Sequence, residues 1–443
     1  MRGAFTMPEA WLLAMAAALA GAAFLAPGLF WLLLLAAAAG AILVLMFRHP
    51  VAASSVWLLG VGCTLEMSLG DILGPAFYQP IIAAVKGTGL VLAAIAVLRF
   101  GPRVDRFNPG FAFLAMFGVG LAHGLYPGLT LTESLRSLIG SVAPYAFSFS
   151  RLSRAWARAI IRVTMVIPAF SVAAGGVLDL AGIRPLFVLS GGLRLGALSH
   201  PAFLGGFALT AIYACLIELY REGNRALIFL LAVNFVILVL TGARAPLLYG
   251  VAVTGLTLAF VPTPALARRE RMGLLLAAAT LVPLAIALAG SLTALRLFNL
   301  LDHNADGLSG REQIWAYFER AAATSPWVGW GVGAGNEVIP QNSHVVRVMH
   351  TWAAHNEYLR IAVEGGRIGE ALLLALFILW ATAHTARLPG PERAILRLVF
   401  LAFACHAVTD NVLISTSASV LFAFIAAVFA RGALEAEAGA LSD

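Results

Sequence analysis

The feature that most constrains this chain is a succession of long apolar stretches without charge, beginning with 10–26 and 29–47 and recurring to the C-terminal end. A bilayer crossing takes about 20 apolar residues as a helix. Only helices and closed barrels satisfy every backbone polar group inside lipid. Barrel strands alternate apolar and polar residues; these runs do not, so the spans are helical. Composition agrees, with 61% hydrophobic and 12% charged residues, where soluble domains hold roughly 45–50% and about 25%. A soluble enzyme, a disordered scaffold and a collagen-like fibre are thereby excluded, and the chain is expected to be an all-α polytopic membrane protein.

Apolar runs fall at 10–26, 29–47, 51–69, 81–98, 111–126, 138–150, 163–180, 201–220, 226–240, 247–261, 273–290, 368–384, 395–413 and 417–431. Several are short, 138–150 and 226–240 above all, so 12 to 14 transmembrane helices are predicted, with two of the runs re-entrant or merged. The first run is read as a retained span, since no cleavage-site pattern ends it. Cys63, Cys215 and Cys405 lie in apolar runs without metal-knuckle spacing, and no disulfide is expected. The expected organisation is an N-terminal bundle over 1–290, a large outer loop over 291–366, and C-terminal spans with a short tail over 367–443.

Basic residues in short loops orient the chain. An inside N-terminus places eighteen arginines on the inner side, Arg48, Arg103, Arg151, Arg221, Arg393 and Arg431 among them. Both termini are then inside and the long loop outside. Ten arginines remain on the outer side: Arg136, Arg184, Arg194, Arg244, Arg296, Arg311, Arg320, Arg347, Arg360 and Arg367. A folded outer unit accounts for those in the long loop. It does not account for Arg136, Arg194 and Arg244 in short connections, where a planar fork of donors suits phosphate or diphosphate.

The outer loop carries Trp315, Trp327, Trp330 and Trp352, which an interfacial belt and stacking on sugar faces both explain. Gly329-Trp330-Gly331-Val332-Gly333-Ala334-Gly335 lacks the Lys-Ser/Thr of a nucleotide loop and reads as a tight turn after Ser325-Pro326-Trp327. His344, His350 and His355, five and six apart, do not make a metal face. No metal or other cofactor is expected. A helix is predicted from His355 to glycines at 365 and 366, with Glu357, Arg360, Glu364 and Arg367 forming one charged stripe. His355 points away from that stripe, free to face a cavity, and imidazole exchanges protons near neutral pH.

These residues carry a resemblance. His355-Asn356 followed by Gly366 and Gly369 resembles the signature of the O-antigen ligase and polymerase superfamily, which includes O-linked protein oligosaccharyltransferases. Ser309-Gly310-Arg311, then Trp315, Pro326 and the glycine-rich turn are similar to the segment that precedes that histidine. Thr241-Gly242-Ala243-Arg244 resembles the outer-face arginine motif between two spans, with Ala243-Arg244-Ala245 where Ser-Arg-Gly is common. The likeness covers residues 190 to 370.

What the resemblance implies is a membrane-embedded, inverting, metal-independent glycosyltransferase. It would move a polysaccharide from undecaprenyl diphosphate to a hydroxyl of lipid A-core at the periplasmic face of a Gram-negative inner membrane. His355 would be the general base. Arg244, Arg136, Arg311, Arg194 and Lys86 would bind the donor diphosphate, Asn356 would orient substrate, and Arg347 and Arg360 would meet the acceptor. The partners are the lipid-linked glycan, the lipid A-core acceptor and the bilayer; no nucleic acid is implied.

Structural readings stand beside these. Lys86 snorkelling to the interface and Arg136 pairing with Glu133 are equally open, and His406 with Asp410, four apart near the outer end of a span, make either a functional pair or a structural hydrogen bond. Glu66, Asp179 and Glu218 read as span-end residues. A polymerase using the same donor is the sibling alternative. A lipid-linked saccharide flippase is the alternative from another class, and would be expected to show repeated halves and broken spans.

Overall fold

The computed structural model describes residues 27–190, 192–263, 265–276, 311–340, 343–349, 351 and 353–440, with isolated positions between 11 and 21. Most of the runs 10–26 and 273–290, and Arg296, Ser309, Gly310, His350 and Trp352, lie outside these residues. The chain forms two units, 1–53 and 54–443. In the first, α1 (Pro27–Arg48) is apolar all round and exposes Trp31, Leu32 and Leu35, as a lipid-facing helix does.

The second unit is helical almost throughout. The run 51–69, expected as one span, is two helices, α2 (Pro50–Gly62) and α3 (Leu65–Leu73). They part at Thr64, which takes a left-handed φ of 45° and donates its hydroxyl to the carbonyl of Leu198 (3.2 Å). After α4 (Pro75–Phe100) and α5 (Gly110–His123) comes α6 (Leu131–Val142), opened by a capping box of Thr130 and Glu133. Those two hydrogen bonds from Thr130 hold the Glu133 carboxyl below its ordinary range. The run 138–150 is therefore no straight span. It is the end of α6 followed by a 3₁₀ segment, Ala143–Phe149, that starts at Pro144 and meets the end of α4 through the bridge Pro102–Ser150.

Next come α7 (Arg154–Leu180), a small antiparallel hairpin of β1 (Phe187–Leu189) and β2 (Leu193–Leu195), α8 (Pro201–Glu222), α9 (Ala226–Thr241) and α10 (Arg244–Phe260). Beyond residue 310 follow α11 (Arg311–Thr324), α12 (His344–Met349), α13 (Glu357–Thr385), α14 (Gly390–His406) and α15 (Thr416–Ala440). The core is built on α8 and α15, each 83% buried over its most apolar window. Small residues let neighbours close in on α8. A Cβ on Gly205 would sit 2.6 Å from that of Ala243, and one on Gly206 2.8 Å from the Ser417 hydroxyl.

Among the described residues six helices are long and apolar enough to cross a membrane, and four shorter apolar ones, α2, α5, α9 and α10, accompany them. The chain is an all-α polytopic membrane protein. Of the expected runs, 10–26 and 273–290 lie mostly outside the described residues, and among the others several are broken or are helices of 13 to 17 residues. A 14-residue helix such as α5 rises about 21 Å, short of the roughly 30 Å hydrocarbon layer.

Charges gather at the two ends of the bundle. At one end Glu218 and Glu392 receive Arg431, while Arg221 joins Glu392 to Glu435. Nearby, Asp105 accepts from Trp380 (2.8 Å) and pairs with His384 (3.1 Å). Buried charges persist only when paired in this way. The other end holds the glycine-rich turn and His355. There α13 breaks at Gly366 (φ 57°, ψ −167°), and the segment 326–331 lies along the break. Trp330 N–H donates to Val363 and Gly331 N–H to Glu364, while Arg367 and Ile368 donate to Pro326 and Trp327, all at 2.9–3.0 Å. The glycines thus serve packing, Gly331 lying against Gly120 and Gly335 against Arg360. Exposed Trp327 carries the Arg367 guanidinium 5.5 Å from its ring centre, an arrangement suited to a membrane interface.

Candidate active site

His355 stands where α13 begins, with a left-handed φ of 48° that turns its side chain away from the helix. Its neighbour Asn356 is the N-cap of α13, its side-chain oxygen accepting from Leu359 N–H (3.2 Å). The oxygen expected to orient substrate is therefore committed to holding the turn that presents His355. The imidazole is half-buried. Nδ1 lies 3.2 Å from Asp410 Oδ1, and Nε2 lies 3.3 Å from the Thr351 hydroxyl.

A carboxylate accepts only, so Nδ1 carries the proton and Nε2 is the unprotonated nitrogen, accepting from the Thr351 hydroxyl. Burial would push the Asp410 carboxyl up. The hydrogen bond with His355, the nearby imidazoles and the backbone N–H of Asn411 outweigh it and hold Asp410 below its ordinary range. His406 stands behind, its Nε2 3.8 Å from Asp410 Oδ2 and its ring 5.2 Å from that of Tyr249. Among the described residues no three His, Cys, Asp or Glu are arranged to hold a metal ion.

The turn 407–415 that carries Asp410 is tied down from four sides. Arg311, at the start of α11, donates to the carbonyl of Thr409 (2.6 Å), and Lys86 Nζ donates to that of Ile414 (2.9 Å). Leu413 N–H donates to Glu357 (2.7 Å), and Thr416 donates to Glu66 (2.9 Å). Arg311 and Lys86, expected at a diphosphate, are here braces of the Asp410 turn. Arg360 is corrected more strongly. It is 4% exposed and bound to Glu357 (2.6 Å) and Glu364 (2.7 Å), an interior ion triad rather than a surface cation facing an acceptor. Arg367 leaves the predicted stripe at the Gly366 break to lie over Trp327.

Arg194 is likewise buried, and its Nε donates to the carbonyl of Thr241 (2.7 Å). It locks the turn in which Gly242 takes a left-handed φ of 62° and Thr241 caps Ala243 N–H. That turn delivers Arg244 to the first turn of α10, exposed and without an ion pair or side-chain hydrogen bond among the described residues. Arg244 lies one and a half turns, about 7.5 Å of rise, from Tyr249, which packs on His406. The first turns of α8 hold both halves together, Gly205 against Ala243 and Gly206 against Ser417. Arg136 lies one turn from Gly140, the residue beside Lys86, and Glu133, its alternative partner, accepts from Thr130 and also feels the Arg136 charge. Arg347 is exposed on α12.

Sequence reasoning placed His406 and Asp410 together by their spacing but missed that the partner of Asp410 is His355, 55 residues away. Thr351 gave no signal. The family described as O-antigen ligase is matched over residues 226–374, which include Arg244, Arg311 and His355. No curated protein matches the chain. The family implies an enzyme that works on lipid-linked glycans in a bilayer. Residues 226–374 are thus similar to the O-antigen ligase family, and the helical membrane bundle agrees with that likeness.

Proposed function

We propose that the protein is an O-antigen ligase. It transfers a polysaccharide from undecaprenyl diphosphate to a hydroxyl of lipid A-core oligosaccharide, at the periplasmic face of a Gram-negative inner membrane, with inversion and without a metal. The observation that carries this reading is the hydrogen bond of His355 Nδ1 to Asp410, which leaves Nε2 as the unprotonated ring nitrogen, beside the Thr351 hydroxyl. Nε2 takes the proton of the acceptor hydroxyl as its oxygen attacks the anomeric carbon. The bond from that carbon to the diphosphate oxygen breaks, and its electron pair leaves with the diphosphate. Asp410 stabilises the imidazolium that forms. Arg244, with Arg136, neutralises the departing charge, and Arg347 meets acceptor phosphates. Arg194, Arg311 and Lys86 position these groups through the backbone.

Incubating purified protein with lipid-linked polysaccharide and lipid A-core tests the reading. Glycan joined to the core is expected; glycan lengthened on its carrier without core would make the enzyme a polymerase instead. Arg244→Lys keeps the charge and loses the fork, and losing one charge-assisted hydrogen bond of about 1.5–3 kcal/mol lowers kcat/KM roughly ten- to a hundredfold. Unchanged turnover in that variant would reduce Arg244 to a diffuse charge. A cysteine at Ser343, ahead of α12, should react with an impermeant thiol reagent in intact spheroplasts; reaction only after lysis would reverse the orientation.

A further inference from the structure

Between α13 and α14 runs an open groove, its walls formed by Tyr358, Ile361, Leu373 and Phe377 of α13 and by Phe403 and Ala404 of α14. Its upper end reaches Glu357 and Leu413, next to the His355 turn. Two polar groups in it are spent: Tyr358 donates to the carbonyl of Ala404 (3.1 Å), and Glu357 is held by Arg360 and Leu413 N–H. The third is Glu370, half-buried on the face it shares with Leu373, Leu374 and Phe377. It makes no hydrogen bond or ion pair among the described residues, and the mechanism does not use it. A carboxyl in the lipid-facing part of a span is costly unless a ligand meets it.

We propose that this groove binds an acyl chain that carries an amide or hydroxyl group, with Glu370 accepting the hydrogen bond. Two observations select that occupant. No arginine or lysine lines the groove, while two carboxylates do, so it repels a diphosphate headgroup. A plain isoprenoid fills the apolar walls but leaves Glu370 unpaired, which costs binding. The inference rests on the acceptor named above and adds how its lipid is recognised.

The test uses full-length protein in nanodiscs and two probes: a glucosamine lipid with an amide-linked 3-hydroxyacyl chain, and its analogue with ester-linked unsubstituted chains. The wild type should bind the amide lipid about tenfold more tightly, the size of one good hydrogen bond. Glu370→Leu should erase that preference and leave binding of a polyprenyl diphosphate unchanged, while Glu370→Gln, which still presents an acceptor, should retain part of it. Equal binding of the two probes by wild type, a preference that survives in Glu370→Leu, or weakened polyprenyl diphosphate binding in that variant would each overturn the proposal. A preserved preference in a protein that transfers no glycan to core would sink the ligase reading and leave the groove assignment standing.

Discussion

Alanine in place of His355 should lower glycan transfer by roughly 10² to 10⁴, the usual worth of a general base, in a protein that still folds. The side chain is half-buried outside the apolar core, and the cap of α13 belongs to Asn356, so helix and turn survive its loss. Asp410→Asn removes the charge that stabilises the imidazolium and should cost a comparable factor in kcat with little change in KM. His406→Gln should cost less than tenfold, since its ring nitrogen stands 3.8 Å from the carboxylate, beyond hydrogen-bond reach. Asp410, held below its ordinary range, contributes stabilisation that is present above the normal carboxyl range and disappears only as pH falls through its lowered value. Melting curves against pH check this, and wild-type rates in His355→Ala would remove the base from the mechanism.

The largest loss of stability is expected from a methyl group at Gly366 or Gly329. Gly366 has a φ of 57°, and a Cβ there would stand 2.4 Å from the carbonyl carbon of Trp327; at Gly329, with φ 68°, it would stand 2.5 Å from that of Glu364. Both obstacles are backbone and cannot rotate aside. Each alanine variant should lose on the order of 3 kcal/mol from backbone strain and overpacking together. The segment 326–331 would then part from α13 and carry the start of that helix, and His355, with it. Gly176→Ala, a helical site with open space around it, serves as control and should be neutral or slightly stabilising. Equal melting temperatures for Gly366→Ala and Gly176→Ala would show that the break in α13 is dispensable.

Much of this was legible in the residues. Uncharged runs such as 29–47 can only be lipid-facing helix, because no other conformation satisfies the backbone there. The glycine-rich stretch read as a tight turn, since a phosphate-binding loop needs chemistry it lacks. His355 stood out by its place at a helix start. Local periodicity cannot report where a run breaks when a tertiary contact holds the break, as at Thr64, whose hydroxyl reaches Leu198.

What the sequence alone determined is the class of solvent and the helical class, because these depend on composition and on neighbours within a few residues. The tertiary structure decided which charged groups are free. Arg194, Arg311, Arg360 and Lys86 look like Arg244 in the chain, each a cation toward one end of the bundle. Folding sets four of them against carbonyls or glutamates and leaves Arg244 exposed. It also brought Asp410 to His355 across 55 residues. A buried cation must find a partner, and the partner's position is set by how distant helices pack, which no local pattern encodes.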